Sequence, residues 1–389
     1  MRIGIDCRTI LNPGAGEQAG VGHYTHHLVK NLLRIDRDNR YILFFDSRMK
    51  NRAEFEGKNV TITAFPFSQY RKFLPFAYSH MLISAQLLRH KLDVFHSPAN
   101  VLPLTYYRPS VITIHDLAIY RNPAWFPSQV FSTRLLVPQS VKRAKRIIAV
   151  SDSTRRDLRD LFNVPARKVL VIPEGVDVRP LPLSDRNADV RKQFRLPKRF
   201  LLFVGTLEPR KNLPALVRAF AVVARMPRFS DVGLVLAGAR GYKATEVFEE
   251  ITEQKLKDRV WYIGYLTQNQ KLAAIRAAEA FVFPSVYEGF GLPVLEAMAL
   301  GTPVITSRVS SLPEVAGTAA LLVDPEDEGE LVRAMVRVLD GAPLRARLAK
   351  AGKAQAAKFS WDRTAKETLD VYRAVGADSN RRKSGKRKG

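Results

Sequence analysis

The sequence predicts an α/β protein built from two doubly wound parallel sheets. Short apolar runs alternate with longer stretches of helical spacing along nearly the whole chain, which is the pattern of parallel sheets joined by right-handed crossovers. The rhythm occurs twice, and a polar stretch from Asp177 to Pro197 with three prolines separates the two runs. At 389 residues the chain also suits two or three domains of about 150 residues each.

In the first run the strands are expected at Arg2–Asp6, Tyr41–Phe45, Val60–Ala64, Val94–His96, Ser110–Ile114, Arg146–Val150 and Val169–Ile172, with helices at His23–Leu33 and Phe131–Arg143. In the second run they are expected at Phe200–Val204, Gly233–Ala237, Val260–Tyr262, Ala280–Phe283, Pro303–Thr306 and Ala320–Leu322. Helices Pro214–Ala224, Asn269–Ala278, Pro293–Leu300 and Glu328–Leu339 separate those strands, and a last helical pattern covers Trp361–Val375. The expected domains are residues 1–180 and 181–360, followed by a helix at 361–376. A basic tail, 377–389, carries too much charge for burial and is expected to be disordered.

Composition narrows the function. Hydrophobic residues make up 46% and charged residues 25%, as in ordinary globular proteins, which excludes a disordered or fibrous chain. A single cysteine, Cys7, excludes an intramolecular disulfide and a cysteine-based zinc site, and points to a reducing compartment. With no signal-peptide pattern and no run of about 18 apolar residues, the expected location is cytoplasmic. The net charge of +25 is spread over both halves and concentrated at the end, in Arg381, Arg382, Lys383, Lys386, Arg387 and Lys388. Such a surface suits phosphorylated substrates, anionic lipid or nucleic acid, or serves only solubility. No zinc-finger spacing or aromatic RNA-binding signature supports specific nucleic-acid recognition.

In open parallel sheets ligands bind beyond the carboxyl ends of strands, and four motifs fall there. After Phe200–Val204 comes Gly205-Thr206-Leu-Glu-Pro-Arg210-Lys211-Asn212-Leu-Pro214. Gly205 permits a tight exit, Asn212 suits an N-cap and Pro214 a first helical turn. Arg210 and Lys211 beside a helix N-terminus make a receptor for a diphosphate, or else a solvated basic pair. After Ala280–Phe283 comes Glu288-Gly289-Phe290-Gly291-Leu292-Pro293-Val-Leu-Glu296-Ala-Met. The glycines open backbone amides to a ligand. The two carboxylates are expected to face one site, where each can hold vicinal sugar hydroxyls; the alternative is a cap and a surface residue. Strand Ser110–Ile114 leads into His115-Asp116, a pair fit to position a substrate group, or to pack and cap. The fourth motif, Gly14-Ala-Gly16 to Gly20-Val-Gly22-His23-Tyr24, is glycine-rich but is not a dinucleotide fingerprint.

With these motifs in order, the chain resembles the family 4 retaining glycosyltransferases of the GT-B fold, mannosyltransferase-like members above all, from the Gly-Val-Gly-His-Tyr loop to the Trp361 helix. The resemblance implies two Rossmann-like domains facing a cleft, an acceptor-binding one at 1–180 and a nucleotide-sugar-binding one at 181–360, with the helix at 361–376 crossing back to the first. It implies a donor diphosphate on Arg210 and Lys211, with Gly205 and Thr206 alongside. Glu296 would take the ribose hydroxyls, and Glu288 with the amides of Gly289, Phe290, Gly291 and Leu292 the sugar and distal phosphate. His115 would meet the transferred sugar, Gly22 would approach the phosphates, and Leu266, in Gly264-Tyr265-Leu266, would lie in the base-recognition loop. One departure stands out: family members commonly carry Asn-Gly-Val-Asp where this chain has Glu174-Gly-Val-Asp177.

The reaction implied is transfer of a sugar, mannose from GDP-mannose as the first expectation, to a glycan or lipid-linked acceptor. No cofactor is expected, because the nucleotide-sugar is a substrate, and no metal, because Arg210 and Lys211 oppose the leaving-group charge. Glu288 as a covalent nucleophile is the rival mechanism. The rival activity is epimerisation or hydrolysis of a nucleotide-sugar on the same fold. The basic and apolar region Gln69–His90 is expected either to lie on an anionic membrane surface or to be an ordinary helix packed on the sheet.

Overall fold

The computed structural model describes residues 1–10, 20–65, 76–126, 130–177 and 190–385. The chain forms two compact units. The first comprises Met1–Arg121, Pro127–Gly175 and Ser360–Gly389; the second comprises Asn122–Phe126 and Val176–Phe359.

The first unit is built on a seven-stranded parallel sheet: β1 (Arg2–Asp6), β2 (Arg40–Asp46), β3 (Val60–Phe65), β4 (Val94–Ser97), β5 (Ser110–Ile114), β6 (Arg146–Ala149) and β7 (Val169–Val171). Their order is β3-β2-β1-β4-β5-β6-β7, so the winding reverses between β1 and β4. Strands β4 and β5 are buried throughout, as central strands of a sheet covered on both faces are. Phe44, Phe95, Ile112, Ile114 and Ile147 form the centre of the core.

The second unit is built on a six-stranded parallel sheet: β8 (Arg199–Val204), β9 (Val232–Ala237), β10 (Val260–Tyr262), β11 (Ala280–Phe283), β12 (Val304–Ser307) and β13 (Leu321–Val323). The order β10-β9-β8-β11-β12-β13 reverses between β8 and β11, so the loops leaving those two strands diverge around a natural ligand crevice. All six residues of β9 are buried.

The chain leaves the first unit at Gly175 and re-enters it at Ser360, and positions 178–189 of the polar stretch lie outside the described residues. Gly175 passes so close to the backbone of Ser360 and Trp361 that a β-carbon would stand 2.2 Å from the Trp361 amide nitrogen. Within the second unit, the Val176 amide donates to the Phe359 carbonyl at 3.3 Å.

The last helix spans Trp361–Gly385, and its apolar face buries Trp361, Ala365, Leu369, Tyr372 and Val375 in the first unit. The expectation of disorder from 377 is therefore corrected as far as Gly385; positions 386–389 lie outside the described residues. A helix already nucleated by docking extends cheaply, and cations near its C-terminus suit its dipole.

Candidate functional site

The second unit gathers its chemistry at the β8–β11 reversal. Beyond β8, residues Pro209–Lys211 form a single 3-10 turn, and Asn212 takes a left-handed conformation (φ 57°) before helix Leu213–Ala224 with Pro214 in its first turn. Asn212 thus occupies the expected cap position, but its side chain does not cap. Its amide donates instead to the Pro325 carbonyl at 2.7 Å, tying the cationic turn to the loop after β13.

The turn aims Arg210 and Lys211 at Glu288, beyond β11. Arg210 Nη1 donates to Glu288 Oε2 at 2.6 Å and to the Tyr287 carbonyl at 3.2 Å, while its Nε lies 2.7 Å from Glu208 Oε1. Lys211 Nζ donates to Glu288 Oε1 at 2.5 Å and stands 4.9 Å from the centre of the Phe283 ring, a cation–π contact. Lys211 and Glu288 are both buried. Burial alone would push the Glu288 carboxyl up, but the Arg210 and Lys211 charges outweigh it and pull it down to about 2, so it is ionised at neutral pH. Burial and the like charge of Arg210 push Lys211 below the ordinary lysine value, against the pull of Glu288. The result is a compact group of two cations and two carboxylates, close to neutral in total.

Next to it, the Gly-Phe-Gly segment runs into helix Leu292–Leu300. Gly291 is its N-cap at φ 112°, a conformation that L side chains rarely adopt. Among the described residues, no protein acceptor is found for the backbone amides of Phe290, Gly291 and Leu292, so this helix start offers open donors beside two cations. Sequence reasoning missed what holds the segment. Ser310 and Ser311, after β12, both donate to the Glu288 carbonyl; Ser311 also reaches the Phe290 carbonyl at 2.8 Å, and the Glu288 amide donates to Ser310 Oγ at 3.1 Å. The paired serines in Ser307-Arg-Val-Ser310-Ser311, leaving a strand end, were the available signal.

Glu288 and Glu296 each have a cation of their own, Lys211 and Lys271, rather than a shared protein partner. Glu296 is buried one turn into the helix, and its Oε1 accepts from Lys271 Nζ at 2.6 Å. Its Oε2 is buried without a partner among the described residues, an acceptor held ready. Thr206 is exposed beyond β8, and Gly205 donates its amide to the Ala237 carbonyl at 2.9 Å. After β10, Gly264 accepts from the Gly238 amide at 2.7 Å, Tyr265 is exposed and Leu266 is buried.

In the first unit, Gly22 is buried in the first turn of helix Val21–Ile35, whose N-cap is Gly20; positions 11–19 of the glycine-rich loop lie outside the described residues. His115, at the end of β5, is buried. Its Nδ1 lies 3.2 Å from Glu174 Oε1 and its Nε2 lies 2.9 Å from the Pro98 carbonyl. Asp116 caps the following turn through the Ala118 amide at 3.1 Å. Glu174, noted in the sequence only as a departure, is thus brought onto His115. Behind them His96 bonds Tyr372 Oη at 2.6 Å and Thr113 Oγ1 at 2.8 Å, and burial with the neighbouring His115 pushes it down to about 3, leaving it neutral.

The chain matches known protein families along both of its units. The family described as Glycosyl transferases group 1 matches residues 185–355, and Glycosyltransferase Family 4 matches residues 19–179. The chain is 31% identical over 368 residues to the O-antigen chain mannosyltransferase B of Escherichia coli, covering 92% of this chain and 96% of that one. It is 34% identical over 297 residues to the D-inositol 3-phosphate glycosyltransferase of Salinispora tropica, covering 71% of this chain and 61% of that one. Among solved structures, the sucrose-phosphate synthase of Thermosynechococcus elongatus superposes with a TM-score of 0.75 at 25% identity, covering 97% of this chain and 99% of that one.

Proposed function

The chain belongs to the family 4, group 1 glycosyltransferases of the GT-B fold, and on that premise we propose that it transfers mannose from GDP-mannose to a glycan or lipid-linked acceptor, with retention and without a metal. The observation that carries the proposal is the buried Lys211–Glu288 pair, with Arg210 on the same carboxylate, beside the open amides of Phe290, Gly291 and Leu292.

Breaking the bond between the anomeric carbon and the distal phosphate oxygen leaves a nucleoside diphosphate with growing negative charge, while the sugar becomes oxocarbenium-like. Arg210, Lys211 and the helix N-terminus oppose that charge from fixed positions, so no reorganisation is required as it develops. The acceptor oxygen bonds to the anomeric carbon on the face the diphosphate leaves, and its proton passes to the departing phosphate oxygen. In this reading Glu288 is no nucleophile. Both its oxygens are engaged by cations, and its work is to keep Lys211 charged in a buried place and to hold sugar hydroxyls. Glu296 Oε2 supplies the free acceptor for a ribose hydroxyl, and Gly205, Thr206 and Leu266 line the donor side. Mannose is favoured by the relative named for it, which matches along almost its full length.

No helix among the described residues is long and apolar enough to cross a membrane. For a lipid-linked acceptor, peripheral contact is proposed through helix Phe76–Arg89, where Met81 and Leu88 are exposed beside Arg89. Positions 69–75 of the region singled out in the sequence lie outside the described residues.

The test offers the full chain GDP-mannose with free and lipid-linked mannoside acceptors, and reads nucleotide release together with the anomeric configuration of the product by NMR. Acceptor-dependent GDP release with the donor's configuration kept is expected. Rapid release of free sugar or epimerisation without acceptor would establish the rival activity, and turnover confined to another nucleotide-sugar would overturn the donor assignment.

A further inference from the structure

Two adjacent residues after β12 break local rules. Ser310 stands at φ 59°, in the left-handed region that suits glycine and costs a serine strain. Ser311 is the N-cap of helix Leu312–Ala316, where a serine ordinarily accepts from an amide of the first turn, yet its side chain makes no capping bond. Both hydroxyls turn instead to the Glu288–Phe290 backbone beyond β11. Strained backbone and forgone caps persist where the surrounding structure puts them to use, and they gather at functional sites.

The bonds form a clamp. Ser310 Oγ accepts from the Glu288 amide at 3.1 Å and donates to the Glu288 carbonyl, closing a ring on one residue. Ser311 Oγ, fully buried, lies 2.9 Å from the Glu288 carbonyl and 2.8 Å from the Phe290 carbonyl, so its one hydrogen serves both. Phe290 has no other donor to its carbonyl among the described residues. No cis peptide bond occurs among them, and in a planar trans peptide the carbonyl and the N–H that follows it point opposite ways. Holding the Phe290 carbonyl on the serine side therefore turns the Gly291 N–H to the other side, where it meets no protein acceptor among the described residues.

We propose that Ser310 and Ser311 are positioning residues that aim the Gly291 amide at the distal phosphate of the nucleotide-sugar. The role rests on the reading that the open amides of this loop take that phosphate. The serines touch no substrate and act through the backbone they hold. A glycine at 310 would suit φ 59° better but has no hydroxyl with which to clamp Glu288, which is why the strain is kept. All the residues involved belong to the second unit, so the device is complete within it.

The experiment titrates the full chain with GDP, UDP, ADP and dTDP and with the matching monophosphates by isothermal calorimetry, and follows the diphosphate that wild type binds most tightly. Wild type should bind that diphosphate more tightly than its monophosphate. Ser311→Ala and Ser310→Gly should each weaken the diphosphate about tenfold or more, the scale of one hydrogen bond to a charged group, and leave the monophosphate within about twofold. Ser311→Thr, which keeps the hydroxyl, should restore the preference. Equal weakening of both ligands marks the serines as structural only and overturns the proposal, as does an unchanged preference in variants that fold by circular dichroism. Should Ser311→Ala fail to fold, Ser310→Gly decides alone, because glycine accepts the left-handed backbone. A wild type that binds no diphosphate more tightly than its monophosphate refutes instead the placing of phosphate on these amides, and the positioning role falls with it.

Discussion

Replacing Lys211 by methionine removes one buried charge while keeping most of the volume. The structure separates its effect on chemistry from its effect on folding. Glu288 would still accept from Arg210 Nη1 at 2.6 Å, so no carboxylate is stranded. The cost to stability should fall below the about 3–5 kcal/mol of a fully broken buried pair. The cost to catalysis is larger, because Lys211 is one of two fixed cations facing the proposed leaving group. Losing one such preorganised donor costs about 3–4 kcal/mol, or about 10²–10³-fold in kcat. A third consequence is acid sensitivity. The Glu288 carboxyl is depressed from 4.5 to about 2, so its ionised form stabilises the fold above the ordinary carboxylate range, and that contribution, about 3 kcal/mol, is lost as pH falls toward 2. With one cation gone the depression shrinks and acid unfolding should begin at higher pH. The assays are kcat at saturating donor, urea unfolding at neutral pH, and unfolding followed by circular dichroism against pH. A variant that folds and turns over within about threefold of wild type would refute the assignment of Lys211 to the leaving group.

Four further outcomes are expected from the same geometry. Glu296→Ala should raise the KM for the donor while largely sparing kcat, since it removes a proposed ribose contact; isothermal titration with the nucleotide alone should weaken in parallel, and unchanged nucleotide affinity would remove Glu296 from the site. Gly291→Ala should lower stability to urea by about 1–3 kcal/mol, because φ 112° strains any side chain and the new β-carbon would meet Leu312 Cδ2 at 2.9 Å. Prolonged EDTA treatment should leave transfer unchanged, and activity that disappears and returns with added divalent cation would overturn metal independence. Binding to anionic vesicles should weaken with salt and with Met81→Ser/Leu88→Ser, and flotation that ignores either would separate helix Phe76–Arg89 from the membrane.

Most of the fold is legible in the sequence because buried parallel strands announce themselves. Phe200–Val204 and Gly233–Ala237 are continuous apolar runs, and in the structure β8 and β9 extend them by one residue each. Glycine and proline mark the helix starts as directly, with Pro214 and Pro293 each in a first turn. The site is legible where chemistry is local to a motif, as at Arg210-Lys211 and Glu288-Gly-Phe-Gly. It is not where a side chain chooses a partner far along the chain. Asn212 has the right residue type for a cap, yet its amide is drawn 113 positions away to Pro325. Glu174 and His115 are 59 positions apart and meet only because β5, β6 and β7 are neighbours in the sheet. Nor does residue spacing reveal that Ser310 and Ser311 hold the Glu288 backbone, because that contact depends on β11 and β12 pairing. The tail misleads for another reason: charge forbids burial but does not forbid helix, and the segment to Gly385 only prolongs a helix anchored upstream.

The paired junction at Gly175–Val176 and Phe359–Ser360 makes the second unit an insertion with adjoining ends. Val176 and Phe359 are joined by a backbone hydrogen bond on one side, and Gly175 abuts Trp361 on the other. Apart from Asn122–Phe126, a single cut-and-rejoin at this seam would excise residues 176–359 as one cassette, and a spacer of only a residue or two would close what is left. Grafting cassettes from relatives across that seam would test the proposal that donor preference travels with residues 176–359.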